Sequence, residues 1–380
     1  MSIHYIAQYA NYEDCGKNYV FSPGGVSKMN YFLYVLSQLG INTQVFSLCK
    51  HAKKGISLHR QGKTPFGQPV KYACSLNINI RLSGLIANMF SQIQLFWYLL
   101  FVPNNDTVFF YHERFYAPIF KIIRKIKRYK IICDIEELYT VHAQYTPQVI
   151  EEEKEYLRSF DKYTIATSEL IREIGLNKED VVVCNGVYAP ILPLKDRQKN
   201  NPYIQVLYAG TFDKTKGGVY SAISAFKYLD LNFRLVVCGW GNNAEESKVQ
   251  TLIREINAEK KEEQIKYLGF VSGTSETYRD LLLSSDIGLS TQNPKGDYNT
   301  TSFPSKIFEY MRSGLIAVST PLKVVESLPI AQCITTIQHY SPEGIAEAIK
   351  KAAKETADSQ HHHLQVMHNV FLEKFLNILS

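Results

Sequence analysis

Short apolar runs alternate with helical stretches along this chain, stop at a proline-rich break, and then begin again. That doubled alternation constrains the fold most, because strands joined through helical crossovers pair in parallel. In the first series, His4 to Tyr9 reads as a strand and Ser22-Pro23-Gly24-Gly25-Val26 as a glycine turn. Lys28 to Leu39 reads as a helix that Gly40 ends, and Thr43 to Leu48 as the next strand. Thr107 to Tyr111, Lys130 to Asp134, Tyr163 to Ala166 and Val181 to Cys184 continue the sheet, with helices over Ala117 to Tyr129 and Gln148 to Phe160. The stretch from Lys50 to Val70 is polar and glycine-rich and reads as a mobile loop.

Ala189 to Pro202 carries Pro190, Pro193 and Pro202 among charged residues and marks a linker. Beyond it, strands over Ile204 to Ala209, Phe233 to Cys238, Ile265 to Leu268 and Asp286 to Leu289 alternate with helices. Those helices run over Gly218 to Tyr228, Glu245 to Lys260 and about Tyr278 to Leu283, with turns at Gly210-Thr211 and Gly239-Trp240-Gly241. The expected architecture is α/β, with doubly wound domains over residues 1–188 and 203–360 joined by 189–202. A last helix over 361–380 is placed to return to the first domain. Two such domains offer a cleft at the carboxyl ends of their strands, where ligands bind in this architecture.

Length agrees, since 380 residues exceed a typical single core. A hydrophobic content of 45% and a charged content of 21% are those of a globular protein and exclude disorder. The net charge of +6 is too mild to indicate nucleic-acid binding but suits anionic substrates or an anionic membrane surface. Seven dispersed cysteines with no Cys-x-x-Cys pair read as reduced thiols of a cytoplasmic protein. Met1 to Ala10 lacks the basic start and apolar core of a signal peptide.

Leu82 to Val102 resembles a membrane span, but Asn88, Gln92 and Gln94 interrupt it, so a long, well-buried helix is expected, with contact between one face and lipid as the alternative. Lys121 to Lys130 is the most basic run. Its Ile122, Ile123 and Ile126 suggest a buried stripe with cations facing outward, either solvated or set against an anionic bilayer.

Thr301 to Thr320 carries the strongest chemical signal. Pro304 suits the first turn of a helix, which puts Ser305 and Lys306 at an N-terminus able to face an anion. Glu309 follows Lys306 on the same side, and Ser313-Gly314 stops the helix before the apolar strand Leu315 to Val318. A cationic cradle with an acid one turn deeper suits a nucleotide diphosphate whose ribose needs an acceptor.

These residues belong to an ordered series: Gly24-Gly25-Val26, Gly210…Lys216-Gly217, Gly239-Trp240-Gly241, Tyr267-Leu268-Gly269-Phe270-Val271 and Phe303-Pro304-Ser305-Lys306-Ile307-Phe308-Glu309-Tyr310. The chain resembles GT-B fold glycosyltransferases, most of all the retaining family 4, with the densest likeness from Val206 to Thr320. The resemblance implies two Rossmann-like domains facing across a cleft. Gly24, Gly25, Gly210 and Thr211 would approach the donor diphosphate, and Gly269, Phe270 and Val271 the base. Lys216 and Lys306 would neutralise leaving-group charge, Ser305 would hold phosphate oxygens, and Glu309 the ribose hydroxyls. Two positions depart from the pattern. Thr211 stands where the family often has arginine, and Thr301 replaces the first acid of the Glu-x7-Glu motif, the one placed near the donor sugar.

In the amino-terminal half, Glu136 in Asp134-Ile135-Glu136-Glu137-Leu138 occupies the place of a histidine common in relatives. There it would bind an acceptor hydroxyl or help move its proton, or else it is one of an acid pair favoured at a helix start. His112 reads as a core or rim histidine, and His361 to His363 lacks a convincing metal partner. The resulting expectation is a cytoplasmic, membrane-associated hexosyltransferase using a UDP-linked sugar, with no cofactor and no obligate metal. Its acceptor would be a glycan or lipid-linked sugar in surface polysaccharide synthesis. A non-catalytic sugar-nucleotide-binding partner of another transferase and a GT-B sugar-nucleotide epimerase remain alternatives.

Overall fold

The computed structural model describes residues 2–11, 19–52, 54–58, 60–77, 83–142, 145–192, 202–213, 218–273, 275–296, 299 and 303–380. The chain forms two compact units, Met1–Asn185 with Phe371–Ser380, and Gly186–Val370.

The first unit is built on β1 (Ile3–Ala7), β2 (Thr43–Ser47), β3 (Arg60–Lys63), β4 (Pro69–Tyr72), β5 (Thr107–Tyr111), β6 (Lys130–Ile135), β7 (Lys162–Ile165) and β8 (Val181–Val183). Their order is β8-β7-β6-β5-β1-β2-β4-β3, parallel except for the β3–β4 hairpin at the edge. Lys50 to Val70 is therefore not a loop. Val70 and Tyr72 alternate inward along β4, Gly67 takes the left-handed turn conformation at φ +86°, and Gly55–Ser57 pairs with Ser75–Asn77. Strands this short and polar leave too brief a period-two pattern to read.

Helix α1 (Pro23–Gln38) begins five residues earlier than its apolar period suggested. Ser22 caps it by accepting from the Gly25 amide at 3.3 Å, so Gly24 and Gly25 form its first turn instead of a separate loop. Its end is a Schellman motif, with Gly40 at φ +65° and the Ile41 amide bonding back to Leu36 O at 3.0 Å. Helix α2 (Ser83–Phe101) lies on the sheet through Leu95 and Leu99, and Tyr98 stacks on Phe46 at 4.0 Å. The amides that interrupt its apolar run tie it down: Gln94 brackets the Cys74 backbone, and Gln92 donates to Phe115 O at 2.6 Å. It is not well buried, however, because every fourth residue from Leu85 to Phe101 faces outward. In α3 (Ala117–Ile126) Ile119 and Ile123 are buried, whereas Ile122 and Ile126, expected in the buried stripe with Ile123, lie exposed among the cations.

The second unit contains β9 (Ile204–Thr211), β10 (Phe233–Trp240), β11 (Ile265–Tyr267), β12 (Ile287–Ser290), β13 (Ile316–Ser319) and β14 (Ile334–Thr336). All pair in parallel, in the order β11-β10-β9-β12-β13-β14, so the strand order reverses at β9. Successive residues of β9 serve opposite faces. Val206 and Tyr208 pack with Val219, Ile223, Val249 and Ile349, while Leu207 and Ala209 pack with Tyr278, Leu282 and Tyr310. Helices thus cover both sides of a fully buried parallel sheet, as its continuous apolar strands require.

The last helix (Asp358–Leu379) belongs to the second unit up to Val370, where Gln360 donates to Met311 O and Leu315 O. From Phe371 it belongs to the first, with Phe371 against Tyr31 and Phe375 against Phe32 and Phe109.

Candidate active site

In the second unit, glycines bring three strand ends together. Gly239 sits at φ +153°, and a Cβ there would lie 1.8 Å from the Gly210 carbonyl oxygen. Its amide donates to Gly269 O at 2.9 Å. Only glycine permits this approach. Gly210-Thr211 and Gly239-Trp240, expected as turns, are the last residues of β9 and β10, and Thr211 pairs in register with Trp240. Gly269 follows β11 at φ +71°, Val271 is half-buried, and Phe270 and Trp240 are exposed rings at these strand ends.

Against the same ends stands α4 (Lys306–Arg312), with Pro304 before it and Ser305 as its N-cap residue. Pro304 therefore lies outside the first turn, and Ser305 makes no side-chain cap bond. Lys306 Nζ lies 2.6 Å from Glu309 Oε2, donates to Tyr278 OH at 2.9 Å, and sits 4.8 Å from the centre of that ring. Tyr278 OH donates in turn to Glu309 Oε2 at 2.8 Å. Burial pushes the Glu309 carboxyl up, but Lys306 and Arg312 outweigh it and hold Glu309 below the usual range. Burial, and then Glu309, raise the Tyr278 phenol, so Tyr278 stays a donor. Cys238, near the end of β10, lies close enough for Lys306 to oppose the rise that burial imposes on its thiol. An ammonium has three donors, of which Glu309 and Tyr278 take two.

In the first unit, the α1 amino end stands over the ends of β5 and β6. A Cβ on Gly25 would lie 3.2 Å from Tyr111 OH, whereas Gly24 faces open space. One turn on, Lys28 is buried, with Nζ 3.1 Å from Asp134 Oδ1 and in contact with Glu136 Oε1. Thr164 OH donates to Asp134 Oδ1 at 2.6 Å. Burial alone would lower the Lys28 ammonium, but Asp134 and Glu136 more than reverse this and hold it above its ordinary value. Burial raises the Glu136 carboxyl; Lys28 opposes the rise and Asp134 adds to it. The lysine thus sits between Asp134 and Glu136 and pairs with both. Among the described residues, no cluster of three or more His, Cys, Asp or Glu is arranged to hold a metal.

His112 is a core residue, stacked on Tyr139 at 4.9 Å with Nε2 3.4 Å from Glu153 Oε1. Burial lowers its imidazole to about 3, against the pull of Glu137, so it is neutral. The structure brings Gly24, Gly25 and Glu136 together in one unit, and Gly210, Thr211, Gly269, Ser305, Lys306 and Glu309 into the other. Lys216 and Thr301 lie outside the described residues. Sequence reasoning missed Lys28 and Tyr278. The only signal for Lys28 was its place one turn beyond the glycine pair.

Comparison with solved structures defines the fold. A UDP-forming alpha,alpha-trehalose-phosphate synthase from Burkholderia xenovorans superposes with a TM-score of 0.68 at 14% identity, covering 100% of this chain and 99% of that one. A trehalose-6-phosphate structure from E. coli bound with UDP-2-fluoro glucose gives 0.68 at 12%, with 100% and 99% covered. Sucrose-phosphate synthase from Thermosynechococcus elongatus gives 0.68 at 12%, with 99% and 98% covered. The fold is GT-B. Residues 194–365 match the family model of glycosyl transferases group 1, so the chain carries that domain and is a glycosyltransferase. No curated protein matches the sequence.

Proposed function

We propose that this glycosyltransferase moves a hexosyl group from a UDP-linked donor to a glycan or lipid-linked sugar, with retention, as the resemblance to family 4 implies. The observation that carries the reading is the Lys306–Tyr278–Glu309 cluster at the glycine-closed ends of β9, β10 and β11, inside the group 1 domain. Backbone amides of Gly210 and Thr211 with Lys216, Ser305 and Lys306 would stabilise the departing diphosphate, and Glu309 would take the ribose hydroxyls. Phe270, exposed beside Gly269, offers a face to the base. Charge is stabilised where it develops, so the proposal requires no metal. A phosphate oxygen of the leaving group accepts the acceptor's proton. Glu136, on the first unit, orients the acceptor hydroxyl. The uridine donor is supported by the UDP named in two of the similar structures.

A second reading takes a soluble sugar phosphate as acceptor, favoured by the trehalose-phosphate and sucrose-phosphate synthases among the similar structures. A screen of nucleotide sugars scored by nucleotide release, with sugar phosphates or lipid-linked sugars added, separates the two. Release without any acceptor, or interconversion of the donor sugar alone, overturns transfer in favour of an epimerase. Donor binding with no release under any condition leaves a binding partner.

A further inference from the structure

Helix α2 has no charged residue along its 19 positions, yet one side of it lies open. Leu85, Met89, Ile93, Trp97 and Phe101 recur every fourth residue, and with Ile86 they are between 39% and 77% exposed. Ala87, Ser91, Leu95 and Leu99 form the buried side. At 1.5 Å per residue the open line runs about 24 Å. A helix at a water-facing surface places charge there, and apolar strips of this extent mark contact with another phase or molecule.

Helix α3 packs against α2, and its open side carries the complement. Residues 83–101 and 117–130 together contain Lys121, Arg124, Lys125, Lys127, Arg128 and Lys130 and no Asp or Glu. Arg124 is committed to Asp161, Lys127 to Leu100 O and Lys130 to Leu379 O. Lys121, Lys125 and Arg128 face outward, beside the exposed Ile122 and Ile126.

We propose that this face of the first unit docks on an anionic lipid bilayer, with α2 lying in the interfacial plane and the α3 cations over the headgroups. Among the described residues, no helix is long and apolar enough to cross a membrane, so α2 lies on the bilayer and does not span it. A second copy fits this face poorly, because a two-fold contact would set the same uncompensated cations against themselves. Anionic headgroups neutralise them. Trp97 and Phe101 also border an open cavity of about 360 Å³, which Phe46, Tyr98 and Val102 line together with His4, Lys71 and Gln94. The inference deepens the reading of a lipid-linked acceptor but does not need that acceptor to be present.

The test is co-sedimentation of the full chain with vesicles of phosphatidylglycerol and phosphatidylcholine, or of phosphatidylcholine alone. Binding to the anionic vesicles is expected, with a blue shift of Trp97 fluorescence in a Trp240→Phe background. The triple variant Met89→Gln, Ile93→Gln, Phe101→Gln changes only exposed side chains. It should partition at least about tenfold more weakly with an unchanged melting temperature. Lys121→Gln, Lys125→Gln, Arg128→Gln should remove the preference for anionic vesicles. Because the apolar line contributes, about 1 M salt should weaken binding without abolishing it. The proposal falls if the parent does not partition, if the apolar variant binds as the parent does, or if the parent is a dimer that this variant converts to monomer. Vesicle binding without sugar transfer would sink the transfer reading alone; transfer without vesicle binding would sink this one alone.

Discussion

Lys28 and Asp134, 106 residues apart, meet at 3.1 Å in the interior of the first unit. The ammonium also contacts Glu136, so one cation on α1 fixes the carboxyl end of β6. Asp134 is fully buried and Glu136 only partly, so losing the lysine strands one carboxylate without solvent, which makes that loss expensive.

Lys28→Met should therefore destabilise the protein by about 3–5 kcal/mol in urea unfolding, the range for breaking a buried ion pair from one side. A loss under about 1 kcal/mol would mean that the two carboxylates are solvated or neutral.

His112 gives the first unit an acid-sensitive point. Its imidazole falls from 6.5 to about 3 on folding, so between those values the unfolded chain binds the extra proton. Its contribution is fully present above pH 6.5 and is lost as pH falls toward 3, at about 1.4 kcal/mol per pH unit. His112→Asn should flatten the stability profile by about one proton's slope in this window. An unchanged slope would show that His112 titrates normally.

The alternation of strands and crossovers was legible because parallel strands buried on both faces write continuous apolar runs, such as Ile131 to Cys133 in β6 and Leu235 to Cys238 in β10. The role of Lys28 was not, since a lysine on an amphipathic helix looks solvated until β6 is placed beside it. For α2 the sequence left a buried helix and a lipid-touching face as alternatives, because a four-residue apolar period is the same whether it meets a core or a lipid. At Gly239 the sequence showed a glycine; that Gly210 presses against it is a property of strand register.

Gly239→Ala should accordingly cost roughly 3 kcal/mol or more, since its Cβ meets a backbone oxygen that cannot give way. Gly269→Ala, at φ +71° but with open space around it, should cost only about 1–2 kcal/mol. Equal melting temperatures for the two variants would show that the strand ends separate freely.

Lys306→Ala removes the cation beside Glu309 and leaves the Tyr278 hydrogen bond in place. If Lys306 meets the diphosphate as proposed, turnover should fall about a hundredfold or more. The fold should survive, because this lysine is partly exposed. Full turnover in a folded variant would take Lys306 out of the site.

Glu136→Gln probes the acceptor side. The substitution keeps the shape and leaves Asp134 to hold Lys28, so folding should be nearly unchanged. The donor contacts are proposed on the other unit, so affinity for the nucleotide should persist when measured by calorimetry. Because Glu136 is proposed to orient the acceptor hydroxyl while a phosphate oxygen takes its proton, transfer should drop, but by less than the roughly 10²–10⁴-fold that losing a general base costs. Because burial raises Glu136 and Lys28 opposes that rise, the parental rate should increase with pH as Glu136 ionises, and the variant should lose that limb. Glu137→Gln, on the next residue, should be milder. If both variants transfer sugar at the parental rate, Glu136 serves only as a counter-ion for Lys28, and the acceptor hydroxyl is held by other groups.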